Sequence, residues 1–243
     1  MTAVEDGDVA AGTAATRPLG RDIGLRIARA YLPRHPFGNR WDYYYARAKL
    51  GSDPLYSGVL EALRGSDAPL LDLGCGLGLL AHALHHDGQP LDYHGVDNDA
   101  AKIARARRAA AKTGLPEARF EVIDLALMLP EHRGSVAILD VLQYLSADAQ
   151  RGLLEHVVAM LPPGARLVIR TGLNDGTRRG HTTRVTDRLA NLIGWMQSVP
   201  KTYPDAGHLR ALLEGAGLAT TFAPLYGSTP FNNWLVVAER RSS

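Results

Sequence analysis

The stretch Leu70-Leu-Asp-Leu-Gly-Cys-Gly-Leu-Gly-Leu-Leu80 constrains this chain most, because an apolar run enters a tripled glycine turn and leaves as another apolar run. That pattern reads as a strand, a tight loop and a helix. Gly74, Gly76 and Gly78 take every second position, where a missing side chain lets the backbone adopt positive φ and lets a ligand press against the main chain. Asp72 precedes the turn by two residues. The spacing D-x-G-x-G-x-G crowds its glycines more than the dinucleotide fingerprint G-x-G-x-x-G does, and it places a carboxylate at the strand end. Downstream, Leu91-Asp-Tyr-His-Gly-Val-Asp97 reads as a second strand that also ends in a carboxylate, 25 residues after Asp72, before a helical pattern from Asp99 to Thr113. A carboxylate there can accept both hydroxyls of a ribose. A plainer alternative is a βα turn closed by glycines, with Asp97 as the N-cap of the next helix.

Together these motifs resemble the class I S-adenosylmethionine-dependent methyltransferases, over about Leu70 to Arg240. The resemblance implies an α/β, Rossmann-like seven-stranded sheet of order 3-2-1-4-5-7-6, with the last strand antiparallel and helices on both faces, and S-adenosyl-L-methionine as cofactor. It implies that Gly74, Cys75, Gly76 and Gly78 pass under the methionine part of that cofactor and that Asp72 helps to hold its ammonium group. Asp97 and Asn98 then face the ribose, and Asp124 and Leu125 the adenine, although Asp124 also suits a turn. Asp140-Val-Leu-Gln-Tyr-Leu145 is similar to the family's D-V-L-x-H/Y-L element, in which Asp140 and Val141 border the methyl group and Tyr144 takes the His/Tyr position. The Asn/Asp-Pro-Pro-aromatic element of many nitrogen methylases is missing at that place. Ala165 replaces the second glycine of the family's L-x-P-G-G turn.

Composition bounds the partners. Lys and Arg number 27 against 25 Asp and Glu, and a net charge of +2 gives no whole-chain reason to bind a polyanion, so a nucleic acid partner is disfavoured. The lone Cys75 excludes an internal disulfide and fits a reducing cytoplasm. His82, His85 and His86 read as a solvated helix end rather than a metal site. No apolar run approaches the ~20 residues that cross a bilayer.

In chain order, residues 1–18 are poor in large apolar side chains and are expected to be a disordered leader. Residues 19–66 form an N-terminal helical cap, and 67–243 the methyltransferase domain with a helical insertion at about 183–198. Trp41, Tyr43, Tyr44 and Tyr45 cannot all face one core on a helix, so they are candidates for the acceptor pocket, packing onto the sheet being the alternative. The polar loop 172–183 contributes His181, which with Tyr144 is a candidate for acceptor chemistry. Arg34-His-Pro-Phe-Gly-Asn-Arg-Trp-Asp-Tyr-Tyr-Tyr45 with Gly227-Ser-Thr-Pro-Phe-Asn-Asn-Trp234 resembles the methyltransferases of bacterial aryl-polyene and xanthomonadin pigment clusters. That likeness implies a phenolic or aryl-acid acceptor, free or on a carrier protein, methylated at oxygen or ring carbon. A non-catalytic cofactor-binding partner protein and a nicotinamide oxidoreductase are the other readings.

Overall fold

The computed structural model describes residues 17–35, 37–115, 117–174, 202–227 and 232–240. The leader apart from its last two residues, the insertion at 183–198 and His181 lie outside the described residues. Three helices, α1 (Arg21–Arg29), α2 (Trp41–Ser52) and α3 (Leu55–Leu63), precede the sheet. Then follow β1 (Leu70–Leu73), α4 (Leu79–His86), β2 (Tyr93–Asp97), α5 (Ala100–Thr113), β3 (Arg119–Val122), β4 (Ser135–Leu139), a 3-10 turn (Leu142–Tyr144), α6 (Ala147–Ala159) and β5 (Arg166–Gly172). The described chain closes with α7 (Ala206–Gly215), β6 (Leu218–Pro224) and β7 (Asn233–Arg240).

The seven strands run in the order β3-β2-β1-β4-β5-β7-β6, as expected, and β7 is antiparallel to both neighbours. All four residues of β1 are buried, because a parallel central strand has helices on both faces. Alternation along the strands sorts two cores. Leu70, Ala137 and Val168 pack with the cap helices, α4 and α5, while Leu71, Leu73, Val136, Ile138, Leu167 and Ile169 pack with α6 and α7. This parity puts Asp72 and Arg170 on the cap face, which places Arg170 against Asp53 between α2 and α3. No helix among the described residues is long and apolar enough to cross a membrane.

Two expectations change. α5 is capped by Asp99, whose carboxylate accepts from the N–H groups of Ala101 and Lys102, so the plainer role of Asp97 as its N-cap falls away. His82 is buried rather than solvated, since α4 buries every residue from Leu79 to Leu84 between the cap and the sheet. Its ring stands edge-on to Tyr31, Nε2 has no hydrogen-bond partner, and burial lowers its pKa to about 4. His85 and His86 are exposed, and no metal-binding group occurs among the described residues.

Candidate active site

The glycine turn rises from the carboxyl end of β1. Gly74 and Cys75 both donate their N–H to the Val96 carbonyl, at 2.8 and 2.9 Å, so β2 holds the start of the turn. Gly74, Gly76 and Gly78 have φ of 80, 57 and 73°, a region that costs other residues steric strain. A Cβ at Gly74 would stand 2.4 Å from Val141 Cγ2, and one at Gly78 2.4 Å from Phe120 Cε1. A Cβ at Gly76 would meet nothing within 4 Å, so here the backbone faces open space. The Gly76 N–H donates to Asp97 Oδ2 at 3.0 Å, and the Tyr31 hydroxyl, from the cap, donates to the Leu77 carbonyl at 2.7 Å.

Beneath the turn, Asp72 is 2 % exposed and accepts a 2.6 Å bond from the Tyr93 hydroxyl at Oδ2. Its Oδ1 is buried without a partner. Burial, with a smaller push from Asp97, raises the carboxyl to about 7 against the pull of the Tyr93 bond. An ammonium placed at Oδ1 would supply both the missing donor and the missing charge. Asp97, buried at the end of β2, takes the N–H of Asp99 at Oδ1 and that of Gly76 at Oδ2, which fixes its carboxylate at the rim. S-adenosylmethionine fits this donor and acceptor set: Asp72 for the ammonium, the open backbone at Gly76 for close approach, and Asp97 for the ribose.

Of the remaining described sequence candidates, Val141 touches this crest. Asn98 is exposed beside Asp97. Asp124 is exposed and accepts the Ala126 N–H at Oδ1, a turn contact, while Leu125 packs against the second core. Val141 seals the turn at Gly74, and Tyr144 ends the 3-10 turn half-buried. Trp41, Tyr44 and Tyr45 are 50, 53 and 39 % exposed, and with Arg47 and Ala48 they line a cavity of about 520 Å³ along α2; Tyr43 faces the cap core instead.

Asp140 engages a set of residues that the sequence motifs do not reveal. Arg170 Nη2 donates to Asp53 Oδ1 and Oδ2 at 3.1 and 2.9 Å, and its Nη1 donates to both oxygens of Asp140. Lys49 Nζ joins the same carboxylates, at 2.6 Å to Asp53 Oδ2 and 3.1 Å to Asp140 Oδ2. Burial pushes the Asp140 carboxyl up, but Arg170 and then Lys49 outweigh it and hold it below its ordinary value. Tyr56, also buried here, is raised well above 10 by burial and then by Tyr45 and Asp72. A guanidinium inside the apolar run Leu167-Val-Ile-Arg170 was the available sign, because a buried charge requires partners.

Residues 70–164 match the family described as a methyltransferase domain. Among curated relatives, a 23S rRNA (uracil-C5) methyltransferase of Thiobacillus denitrificans is 29 % identical over 147 residues, covering 59 % of this chain and 32 % of the relative. A trans-aconitate 2-methyltransferase of Variovorax paradoxus is 31 % identical over 148 residues, covering 60 % of this chain and 52 % of that protein. The chain thus spans about a third to a half of the curated relatives it matches. In fold it is similar to the magnesium protoporphyrin IX methyltransferase of Synechocystis solved with S-adenosylhomocysteine, at TM-score 0.61 and 18 % identity, covering 89 % of this chain and 93 % of that one. Residues 70–164 thus form a methyltransferase domain, and the fold is similar to that of the class I S-adenosylmethionine-dependent methyltransferases, a family whose cofactor is S-adenosylmethionine.

Proposed function

We propose that this chain transfers the sulfonium methyl of S-adenosylmethionine to a small aromatic acceptor, a phenolic or aryl acid, free or held on a carrier protein. The observation that carries this reading is the alignment of three features along one edge of the sheet: the unpartnered Asp72 oxygen, the open backbone at Gly76 and the fixed carboxylate of Asp97. The cofactor supplies an activated methyl whose leaving thioether is neutral, so the protein's task is alignment more than acid catalysis. Asp72 holds the ammonium, Asp97 with Asn98 the ribose, and Asp124 with Leu125 the adenine edge. Val141 and Asp140 stand on the methyl side, where the aromatic face of α2 supports a flat acceptor. Tyr144 and His181 are the polar residues assigned to the acceptor pocket. The near-neutral charge favours a small molecule over a nucleic acid.

Calorimetric titration with S-adenosylhomocysteine and with NAD tests the cofactor, and a screen of phenolic acids for S-adenosylhomocysteine formation tests the reaction. Binding of the former nucleoside alone, followed by turnover, is expected. Tight NAD binding would favour an oxidoreductase, and binding without turnover a cofactor-binding partner protein.

A further inference from the structure

The four charges that join cap to sheet are balanced, with Lys49 and Arg170 against Asp53 and Asp140. Exposure divides them. The side chains of Arg170 and Asp53 are 4 and 9 % exposed, whereas those of Lys49 and Asp140 are 20 and 27 % exposed. An ammonium has three N–H donors, and Lys49 gives two of them to Asp53 and Asp140, which leaves the third without a partner among the described residues. A carboxylate offers about four lone-pair sites, of which Arg170 and Lys49 occupy three on Asp140. One donor and one acceptor therefore remain side by side on the exposed edge of the group. Asp140 keeps φ at 59°, a left-handed conformation that a non-glycine residue holds only when its surroundings fix it, and the ion pairs supply that constraint.

The position of this edge is equally specific. Asp140 immediately precedes Val141, which lies against Gly74 of the glycine turn. Lys49 is one helical turn after Tyr45, a wall of the aromatic cavity. A donor and an acceptor thus stand between the methyl side of the turn and an aromatic surface.

We infer that Lys49 and Asp140 form a subsite for an un-ionised aryl hydroxyl, which donates to the Asp140 carboxylate and accepts from Lys49 Nζ while its ring lies along Tyr45 and Trp41. The inference deepens the methyl-transfer reading and rests on it. A neutral hydroxyl matches a group whose charges already cancel, whereas a carboxylate or an ammonium brought to the same edge would add an unbalanced charge beside buried ions. As the hydroxyl oxygen gains the methyl its O–H bond weakens; the proton moves to Asp140 and out to solvent, and the C–S electron pair stays on the thioether. A weak base suffices, because an alkylated oxygen is strongly acidic. Arg47, on the cavity wall, would meet an acid group at the far end of the ring.

The test compares 4-hydroxybenzoate with 4-methoxybenzoate by calorimetry on the full chain saturated with S-adenosylhomocysteine. The wild type is expected to bind the hydroxy acid at least tenfold more tightly, since the ether can accept but cannot donate. Asp140→Ala should bring the two within twofold of each other, whereas Lys49→Met, which removes a donor that both oxygens can accept from, should weaken both acids by a similar factor of at least fivefold, keep the preference, and leave S-adenosylhomocysteine affinity within threefold. No binding of 4-hydroxybenzoate, a wild-type ratio near one, an unchanged ratio in Asp140→Ala, or an unchanged 4-hydroxybenzoate affinity in Lys49→Met overturns the subsite. If Asp140→Ala does not fold, the wild-type ratio and Lys49→Met decide. Failure of the wild type to bind S-adenosylhomocysteine would instead overturn the cofactor reading.

Discussion

Around Gly76 the contacts are made by main chain: N–H groups on the Val96 carbonyl and on Asp97, and φ angles reserved for glycine. Around Arg170 they are made by side chains from α2, from the C-cap of α2, from the residue after β4 and from β5. The first region leaves a buried oxygen and an open strip of backbone facing outward. The second closes its charges on one another and leaves only an edge exposed. A crest built of backbone tolerates little change in shape but contributes modestly to holding the fold together, whereas a buried ion group is central to the fold and can vary in what its edge contacts.

The sharpest way to break this contrast is Arg170→Met. Removing the guanidinium strands two carboxylates under the cap, and breaking a buried pair typically costs about 3–5 kcal/mol. Urea denaturation is expected to show a loss of that size, and a loss under about 1 kcal/mol would mean that the charges are solvated and the second region is not a closed one. Gly76→Val is next. At φ 57° the added side chain is strained and projects into the open strip, so S-adenosylhomocysteine affinity should fall more than a hundredfold in calorimetry. An unchanged affinity would remove the turn from the cofactor site.

Asp97→Ala should weaken the same ligand by about 1–3 kcal/mol, the usual cost of stranding hydrogen-bonding groups; because it also frees the Gly76 N–H, the effect should exceed that of Asn98→Ala measured in parallel. The smallest expected effect concerns pH. Asp72 titrates at about 7 in the folded chain against an ordinary 3.8, so the free protein holds a proton there that the unfolded chain has lost, and this group makes folding less favourable as pH rises from about 4 to about 7. An ammonium at Oδ1 needs the carboxylate, so binding below pH 7 expels that proton. Affinity should then drop by up to tenfold per pH unit below about 7, a dependence that Asp72→Asn should flatten. A flat profile in the wild type would separate Asp72 from the ligand.

The same contrast explains what could be read from the sequence. The crest lies between Leu70 and Asp97, and glycine spacing and terminal carboxylates are local signals, so the strand, the turn and the helix there were legible, whereas the strand order followed from the family resemblance. Lys49 and Asp140 are 91 positions apart, and Asp53 and Arg170 are 117 apart; Lys49 and Asp53 alone look like ordinary surface charges, and the motif around Asp140 does not name its partners. Only Arg170, set in an apolar strand, announced a need for partners. Tyr93 escaped notice for a related reason: its role depends on the register of Asp72 opposite Gly95, which brings β2 side chains of the same face over β1. His82 was misread because helical periodicity locates one buried face, and α4 is covered by the cap as well as by the sheet.

The bond from the Tyr31 hydroxyl to the Leu77 carbonyl bears on how this chain may be cut or recombined. The stretch that carries the family match begins at residue 70, yet one carbonyl of its glycine turn is tethered by a residue 46 positions upstream. The stretch that carries the family match is therefore not self-contained in its hydrogen bonding. A fragment starting at Leu70 would keep every glycine and both carboxylates while its Leu77 carbonyl and its Arg170 lost their partners in the cap. Exchanging caps between related chains would for the same reason transplant one support of the glycine turn together with the aromatic face of α2.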